Sequence, residues 1–209
     1  MNVEYVKKLK MSESALVIVD CQRDFMYPGA PLENPLAMEK LPNIISAKKW
    51  AYEHGIPVIY TKEVHRRQKI DFGLEMERGD PEHCVETSGG EEIVDELKPD
   101  LSRDYVVTKR RYSGFYLTDM EILLHSLGVK TLILTGFDTN VCVYATALDA
   151  QFRGFRVIAL SDCTHGTTDE FTKAFLDNID YILGEVMTLG ELKELWKDQI
   201  GRASCRERV

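Results

Sequence analysis

Short apolar runs rich in β-branched residues alternate along this chain with longer segments of helical periodicity, and this alternation constrains the fold most. Runs of strand length lie at 15–20, 57–64, 105–109, 131–136, 156–160 and 185–187. Helical patterns lie at 39–53, 91–97, 119–126, 141–153 and 168–180, and a further helix follows the last strand. Nearly continuous apolar strands separated by helices indicate a parallel sheet that is covered on both faces. The sequence therefore predicts an α/β fold.

Length and composition fit a single globular domain. A chain of 209 residues, 44% of them hydrophobic, is long enough for one sizeable core and too short for two. We assign this domain to residues 1–199. The segment 200–209 is basic and poor in apolar residues, and we interpret it as a non-native or frayed tail. The long polar segment 65–90 is expected to be a functional loop.

Charge and hydropathy argue against two classes of partner. With a net charge of −8, the chain lacks the basic stripe of a nucleic-acid-binding protein. No apolar run approaches the roughly 18 residues that a membrane span requires, and the N-terminus has no signal-peptide pattern. The five cysteines are odd in number and include no CxxC pair, which favours reduced thiols over disulfides or a zinc knuckle. We therefore expect a cytoplasmic protein that binds neither nucleic acid nor membranes.

Three residues with catalytic chemistry are expected at one edge of the sheet. Asp20 ends the first strand, Lys109 ends the third, and Cys142 follows the fourth near the start of a helix. Sites in open parallel sheets form outside the carboxyl ends of the strands, so these side chains should meet. A helix N-terminus and an ammonium group both stabilise a thiolate, and a carboxylate can accept the thiol proton and return it to a leaving amine.

Each of these residues also fits a structural role. An aspartate after a buried strand is often part of a turn. Lys109 begins a KRR run that is typical of a solvated surface, and a lone cysteine in an apolar segment is most often a small buried side chain. Their agreement on one edge of the sheet raises the catalytic interpretation to the same weight as the structural one.

Three motifs, in order along the chain, resemble those of the isochorismatase-like cysteine hydrolases, which include nicotinamidases and N-carbamoylsarcosine amidases. They are VIVDCQRDF at 17–25, TKRRYSGF at 108–115 and GFDTNVCVYATALDA at 136–150, and SDCTHG at 161–166 matches a further segment. The resemblance implies a three-layer α/β/α sandwich with a six-stranded, mainly parallel sheet. It also implies a catalytic triad in which Asp20 is the base, Lys109 the activating cation and Cys142 the nucleophile.

The same resemblance implies details around the nucleophile. Backbone N–H groups in the turn before the helix can hold an oxyanion, and Gly136 gives that turn conformational freedom. By resemblance, the N–H groups are those of Asp138 and Cys142, and the bond between Phe137 and Asp138 is a cis peptide. The chemistry itself requires no cofactor.

A metal site is a further implication of the resemblance. Nicotinamidases of the family bind a metal through an Asp-x-His pair and a later histidine, and the matching residues here are Glu63, His65 and His83. Two imidazoles and a carboxylate suit Zn²⁺ or a similar divalent ion. The family has aspartate where this chain has Glu63, and an ion pair of Glu63 with Arg66 or Arg67 is an equally weighted alternative.

The substrate is the least constrained part of the prediction. Phe25, Tyr112 and Phe115 are candidates for pocket walls that suit a planar amide, with core packing as the alternative. Basic residues at 65–67, 69, 110 and 111 could suit a carboxylate-bearing ureido compound or could lie on the surface.

Three functional hypotheses follow. The first is a hydrolase of small amides or carbamoyl compounds, the second a vinyl-ether hydrolase of the isochorismatase type, and the third a non-catalytic ligand-binding relative. The family resemblance also implies a homo-oligomer.

Overall fold

The computed structural model describes residues 3–199, and its centre is a sheet of six parallel strands. The strands are β1 (Ser14–Val19), β2 (Val58–Glu63), β3 (Tyr105–Lys109), β4 (Thr131–Phe137), β5 (Arg156–His165) and β6 (Glu185–Met187). Their order across the sheet is β3-β2-β1-β4-β5-β6, and every neighbouring pair is parallel. The predicted six-stranded α/β fold is confirmed.

Seven α-helices accompany the sheet within the described residues. They are α1 (Val3–Val6), α2 (Arg23–Met26), α3 (Ala37–Glu53), α4 (Met120–Ser126), α5 (Tyr144–Phe152), α6 (Asp169–Asn178) and α7 (Leu189–Leu195). None of the helices within 3–199 is both long and apolar enough to cross a membrane.

The two faces of the sheet pack into separate hydrophobic clusters because successive side chains of a strand point to opposite faces. In β1, Leu16 and Ile18 join the cluster that contains the apolar side of α3 and the first turn of α7. Val17 and Val19 join the opposite cluster, which contains residues of α4 and α5. All of β1 is buried, so the strand reads as one continuous apolar run. This packing produces the predicted three layers.

One predicted helix is wrong. Residues 91–97 contain only a single 3₁₀ turn at Asp95–Leu97. Ile93 instead forms an antiparallel bridge with Gln22, and the Val94 N–H donates to the Cys21 carbonyl at 3.0 Å. These long-range backbone hydrogen bonds tie Ile93 and Val94 to the chain after β1. They replace the local hydrogen bonds of a helix, although the local sequence pattern is helical.

The strand order places a crevice between β1 and β4. From β1 the chain builds outward to β2 and β3, and from β4 it builds outward to β5 and β6 on the other side. Where the order reverses, loops leave the carboxyl ends of adjacent strands in opposite directions, and ligands bind there in open α/β sheets. The predicted tail at 200–209 lies outside the described residues.

Candidate active site

The carboxyl ends of four strands bring charged and nucleophilic side chains to the crevice. Asp20 follows β1, Glu63 ends β2 and Lys109 ends β3. Cys142 lies in a π-helical turn, Thr139–Val143, which follows β4 and leads directly into α5. All four side chains are buried, so their charges interact in a medium far less polarisable than water.

The ammonium group of Lys109 lies at the centre of this cluster. Its Nζ is 2.8 Å from Asp20 Oδ2, 2.8 Å from Glu63 Oε2 and 3.6 Å from Cys142 Sγ. It also donates to the Arg111 carbonyl at 3.0 Å. The structure therefore brings together Asp20, Lys109 and Cys142, as predicted. It adds the carboxylate of Glu63, for which the sequence had predicted a metal or an arginine partner.

Asp20 is fixed by the neighbouring strand. Its Oδ1 accepts a hydrogen bond from the Thr61 hydroxyl at 2.6 Å, and its own N–H donates to the same hydroxyl oxygen at 3.2 Å. Burial raises the pKa of the Asp20 carboxyl, and the attraction of Lys109 offsets this only in part. A carboxylate with a raised pKa is a stronger proton acceptor than an exposed one.

Electrostatics around the nucleophile differ from the sequence-based expectation of a stabilised thiolate. Burial raises the pKa of the Cys142 thiol well above its usual value, because the effect of Lys109 does not compensate for burial and for the charges of Asp20 and Glu63. Burial alone would raise the pKa of Glu63, but Lys109, His65 and His83 hold it well below the usual range. These shifts favour a neutral thiol at Cys142 and an ionised carboxylate at Glu63.

Backbone geometry between β4 and the nucleophile is specific. Gly136 has φ +96°, and a Cβ atom at this position would lie 2.0 Å from the Val19 carbonyl oxygen of the adjacent strand. The next peptide bond, between Phe137 and Asp138, is cis, at the position that the resemblance implied. Oxyanion binding by the N–H groups of Asp138 and Cys142 stays a prediction.

A cavity of about 420 Å³ opens beside Cys142. Two of the three predicted aromatic walls, Phe25 and Tyr112, line it, but Phe115 does not. Phe115 packs in the hydrophobic cluster on the α4 and α5 face, with its ring centroid 5.9 Å from that of Phe155. Core packing, the alternative considered for these aromatic residues, therefore applies to Phe115.

The three predicted metal-binding residues are also brought together. Ligand atoms of Glu63, His65 and His83 lie within 4.8 Å of one another, and all three residues are buried. Glu63 Oε1 is 3.1 Å from His65 Nε2 and 3.8 Å from His83 Nε2. His83 Nδ1 must donate to the Pro81 carbonyl at 2.8 Å, which leaves Nε2 as the ligand atom of a neutral ring. The donor set therefore fits a divalent ion such as Zn²⁺.

Asp20, Glu63 and Cys142 form a second group of this kind, with ligand atoms equally close together. The ammonium of Lys109 already contacts all three side chains, so a cation occupies the centre of this group.

The basic residues of the loops lie elsewhere. Arg110 Nε pairs with Asp71 Oδ2 at 3.0 Å, and Arg111 donates to the Asp71 carbonyl at 2.7 Å. Lys69 pairs with Glu82 at 2.6 Å. None of these three side chains lines the cavity, so of the two alternatives for the basic residues, the surface fits them better than binding of a substrate carboxylate. The alternative pairing of Glu63 with Arg66 or Arg67 is replaced by the pairing with Lys109.

Sequence reasoning missed the residues that hold the crevice together. Gln22 Nε2 donates to the carbonyls of Glu63 at 2.7 Å and Glu91 at 2.8 Å, and Gln22 Oε1 accepts from the Glu63 N–H at 2.7 Å. Gln22 thus joins β2 to the chain after β1. The signal for Gln22 in the sequence was its place in the first motif, at 17–25. Asn34, which donates to Asp138 Oδ1 at 2.5 Å, carries no comparable signal.

Comparisons with known proteins agree with this architecture. The model of the isochorismatase domain matches residues 14–191. The ureidoacrylate amidohydrolase RutB of Enterobacter sp. (strain 638) is 34% identical, with 85% of this chain and 86% of that protein covered. An Arabidopsis thaliana protein named "Probable inactive nicotinamidase" is 30% identical, with 87% of this chain and 95% of that protein covered.

A solved structure adds the three-dimensional comparison. The pyrazinamidase of Pyrococcus horikoshii in complex with zinc is 34% identical and superposes with a TM-score of 0.75, covering 85% of this chain and 99% of that one. The family match spans most of the chain and includes all six strands and Asp20, Lys109 and Cys142. On this evidence the chain belongs to the isochorismatase-like hydrolase family, which includes amidohydrolases.

Proposed function

We propose that this chain is a cysteine hydrolase that cleaves the C–N bond of a small amide or carbamoyl compound through a thioester and releases ammonia or an amine. The observation that carries the proposal is the position of Lys109, whose Nζ contacts Asp20 at 2.8 Å and Cys142 at 3.6 Å beside a cavity. Relatives named as an amidohydrolase and a pyrazinamidase support the reaction class.

In the first half-reaction, Asp20 accepts the thiol proton as Cys142 Sγ attacks the substrate carbonyl carbon. A C–S bond forms and the carbonyl π electrons move to oxygen, where backbone N–H groups of the turn stabilise the charge. Collapse of this intermediate breaks the C–N bond, and Asp20 returns the proton to the leaving nitrogen. Because the pKa of the resting thiol is raised, proton transfer to Asp20 accompanies attack.

In the second half-reaction, water replaces the amine. Asp20 accepts a proton from this water, whose oxygen attacks the thioester carbon. The C–S bond then breaks, the acid product leaves, and the proton on Asp20 returns to the sulfur. Lys109 stays protonated throughout, since the surrounding negative charges outweigh the effect of burial and hold its pKa well above the usual value.

The two alternatives make different use of Cys142. Vinyl-ether hydrolysis needs no sulfur nucleophile, so a thiol in contact with the buried lysine would have no role in it. A ligand-binding relative would need neither the base nor the nucleophile, although one relative is named as an inactive enzyme. The intact set of Asp20, Lys109 and Cys142 favours the amidohydrolase.

A divalent ion such as Zn²⁺ is proposed to bind to Glu63, His65 and His83. If bound, the ion would supply a Lewis acid beside the cavity that can hold a substrate heteroatom. Glu63 would then serve two groups at once, with Oε2 toward Lys109 and Oε1 toward the histidines. A cytoplasmic location is proposed on the same chemistry, because a cysteine nucleophile must stay reduced.

Ammonia release from a panel of small amides tests the proposed reaction. The panel contains nicotinamide, pyrazinamide, biuret and N-carbamoylsarcosine, and wild type is compared with Cys142→Ala and with Cys163→Ala. Cys163 is the matched control, because it is also buried but lies in the hydrophobic cluster that contains the apolar side of α3. We expect ammonia from at least one amide, abolished only by Cys142→Ala. Release that persists in folded Cys142→Ala would disprove the covalent mechanism.

A further inference from the structure

The cavity beside Cys142 has a strongly acidic wall. Its lining includes five carboxylates, and none of its described lining residues is lysine or arginine. The carboxylates belong to Glu33, Glu63, Glu75, Asp80 and Asp138. The remainder of the lining is largely apolar and includes the phenyl ring of Phe25. An acidic, partly enclosed cleft concentrates cations and repels anions.

The positive charges nearest to this cavity are already balanced. Lys109 is held between the carboxylates of Asp20 and Glu63, so the three groups together are negative. His165, at the end of β5, directs its Nε2 to Asp169 Oδ1 at 2.9 Å. His83, which lines the cavity, directs Nδ1 to the Pro81 carbonyl at 2.8 Å and holds Nε2 3.8 Å from Glu63 Oε1. None of these groups offers a free cation to a substrate carboxylate.

The hydroxyl group of Tyr112, which also lines the cavity, is affected by the same negative charges. Burial raises the pKa of its hydroxyl to about 12, and the negative charges of Glu75 and Glu63 add to the effect.

Among the five carboxylates, Asp138 is the one on the connection between β4 and Cys142. It directly precedes the π-helical turn that carries Cys142. Its Oδ1 accepts from Asn34 Nδ2 at 2.5 Å, and the same amide donates to the carbonyls of His165 at 3.1 Å and Gly166 at 2.9 Å. No described residue donates to Asp138 Oδ2. One oxygen is therefore positioned by the protein, and the other can accept a hydrogen bond from a ligand.

We propose that Asp138 is a specificity-determining residue that selects neutral or cationic amides with hydrogen-bond donors and rejects substrates that carry a carboxylate. This inference rests on the proposed amidohydrolase function and narrows its substrate class. Asp138 Oδ2 accepts from a donor nitrogen of the substrate, while the apolar lining holds its carbon body. The preference separates this chain from the relative named for ureidoacrylate, because an acrylate carries a carboxylate.

The first test measures the field at the nucleophile without any turnover. Three methanethiosulfonate reagents modify the same thiol but differ in charge: the trimethylammonium-ethyl, methyl and sulfonato-ethyl compounds. The rate at which each reagent modifies Cys142 is followed by peptide mass spectrometry. It is divided by the rate at which the same reagent reacts with 2-mercaptoethanol, which corrects for intrinsic reactivity. We expect the normalised cationic-to-anionic ratio to be at least about tenfold in wild type.

Two variants test whether the charge of Asp138 causes this ratio. Asp138→Asn keeps the shape and the hydrogen bond from Asn34 and should lower the ratio at least about threefold. Asp95→Asn removes the same charge from an exposed site outside the cavity and should leave the ratio unchanged. All measurements are made both with EDTA and with added Zn²⁺, so that metal occupancy is constant within each comparison. A normalised ratio near one, or a ratio equally high in Asp138→Asn, overturns the inference.

The second test compares three monoamides of similar size: 4-aminobutanamide, pentanamide and succinamate. We expect kcat/KM for succinamate to be at least about 100-fold below that of the better of the other two. Succinamate as the best substrate overturns the inference but leaves the amidohydrolase proposal intact. If labelling is charge-selective but no tested amide gives Cys142-dependent ammonia, the acidic cavity is supported and the proposed reaction is overturned.

Discussion

At the scale of single residues, one buried lysine is the counter-charge of two buried carboxylates. Lys109 is 1% exposed and lies between two carboxylates that are themselves buried. Burial alone would lower its pKa, but Asp20, Cys142 and Glu63 raise it instead. The ammonium therefore compensates charges that would be very costly without a partner.

Replacement of this lysine should destabilise the whole fold. We expect Lys109→Met to lower the free energy of unfolding by about 3–5 kcal/mol, because Asp20 and Glu63 lose their buried counter-charge. Adding Asp20→Asn should recover part of the loss. Lys130→Met is the control: its side chain is 60% exposed and pairs with Glu13 at the surface, so its loss should cost about 1 kcal/mol or less. Urea unfolding measures all four proteins, and equal losses for both lysine variants would contradict the account.

At the scale of elements, the connection from β4 to α5 determines where Cys142 lies. β4 pairs with β1 from Ser14 opposite Thr131 to Val19 opposite Gly136, and a Cβ atom at Gly136 would lie 2.0 Å from the Val19 carbonyl oxygen. The chain then passes through Phe137 and Asp138 into the π-helical turn. Because this short connection contains both Asp138 and Cys142, a shift of the strand end would move the nucleophile and the cavity wall together.

The close approach at Gly136 can be tested against a second glycine with similar backbone conformation. Gly136→Ala should cost more than about 4 kcal/mol or prevent folding, because its Cβ would overlap the Val19 carbonyl of the neighbouring strand. Gly154, which follows α5, has φ +80° and open space around its missing Cβ. Gly154→Ala should therefore cost only about 1–2 kcal/mol. The two variants are compared by soluble yield and by urea unfolding. Similar losses of unfolding free energy would show that the neighbouring strand relaxes and relieves the overlap.

At the scale of the whole molecule, the site joins the sheet to the long loop between β2 and β3. Glu63 and His65 lie at the end of β2, whereas His83 comes from the far part of that loop. A bound ion at these residues would therefore link the loop to the sheet. Ligands that bind only the folded state stabilise it by mass action.

Zinc should accordingly raise the thermal unfolding midpoint. At about 100 times the dissociation constant, the gain is roughly 2.7 kcal/mol, or several degrees for a chain of this size. The experiment uses Cys142→Ala, so that the catalytic thiol cannot bind the metal. His83→Ala in that background should abolish the shift, and His125→Ala, an exposed histidine of α4, should retain it. A shift that survives His83→Ala would place the metal elsewhere, and EDTA should reverse any genuine shift.

The sequence by itself determined the layers of the fold and the strand ends at which Asp20, Lys109 and Cys142 lie. Strand and helix patterns are local, and the carboxyl ends of parallel strands necessarily share one edge, so Asp20, Lys109 and Cys142 could be placed together before any coordinates. Only the tertiary structure decided that Glu63 shares the lysine and that Phe115 turns into the core. It also decided the acidic wall of the cavity. These features depend on side-chain directions and on contacts between segments far apart in the chain, which periodicity does not encode.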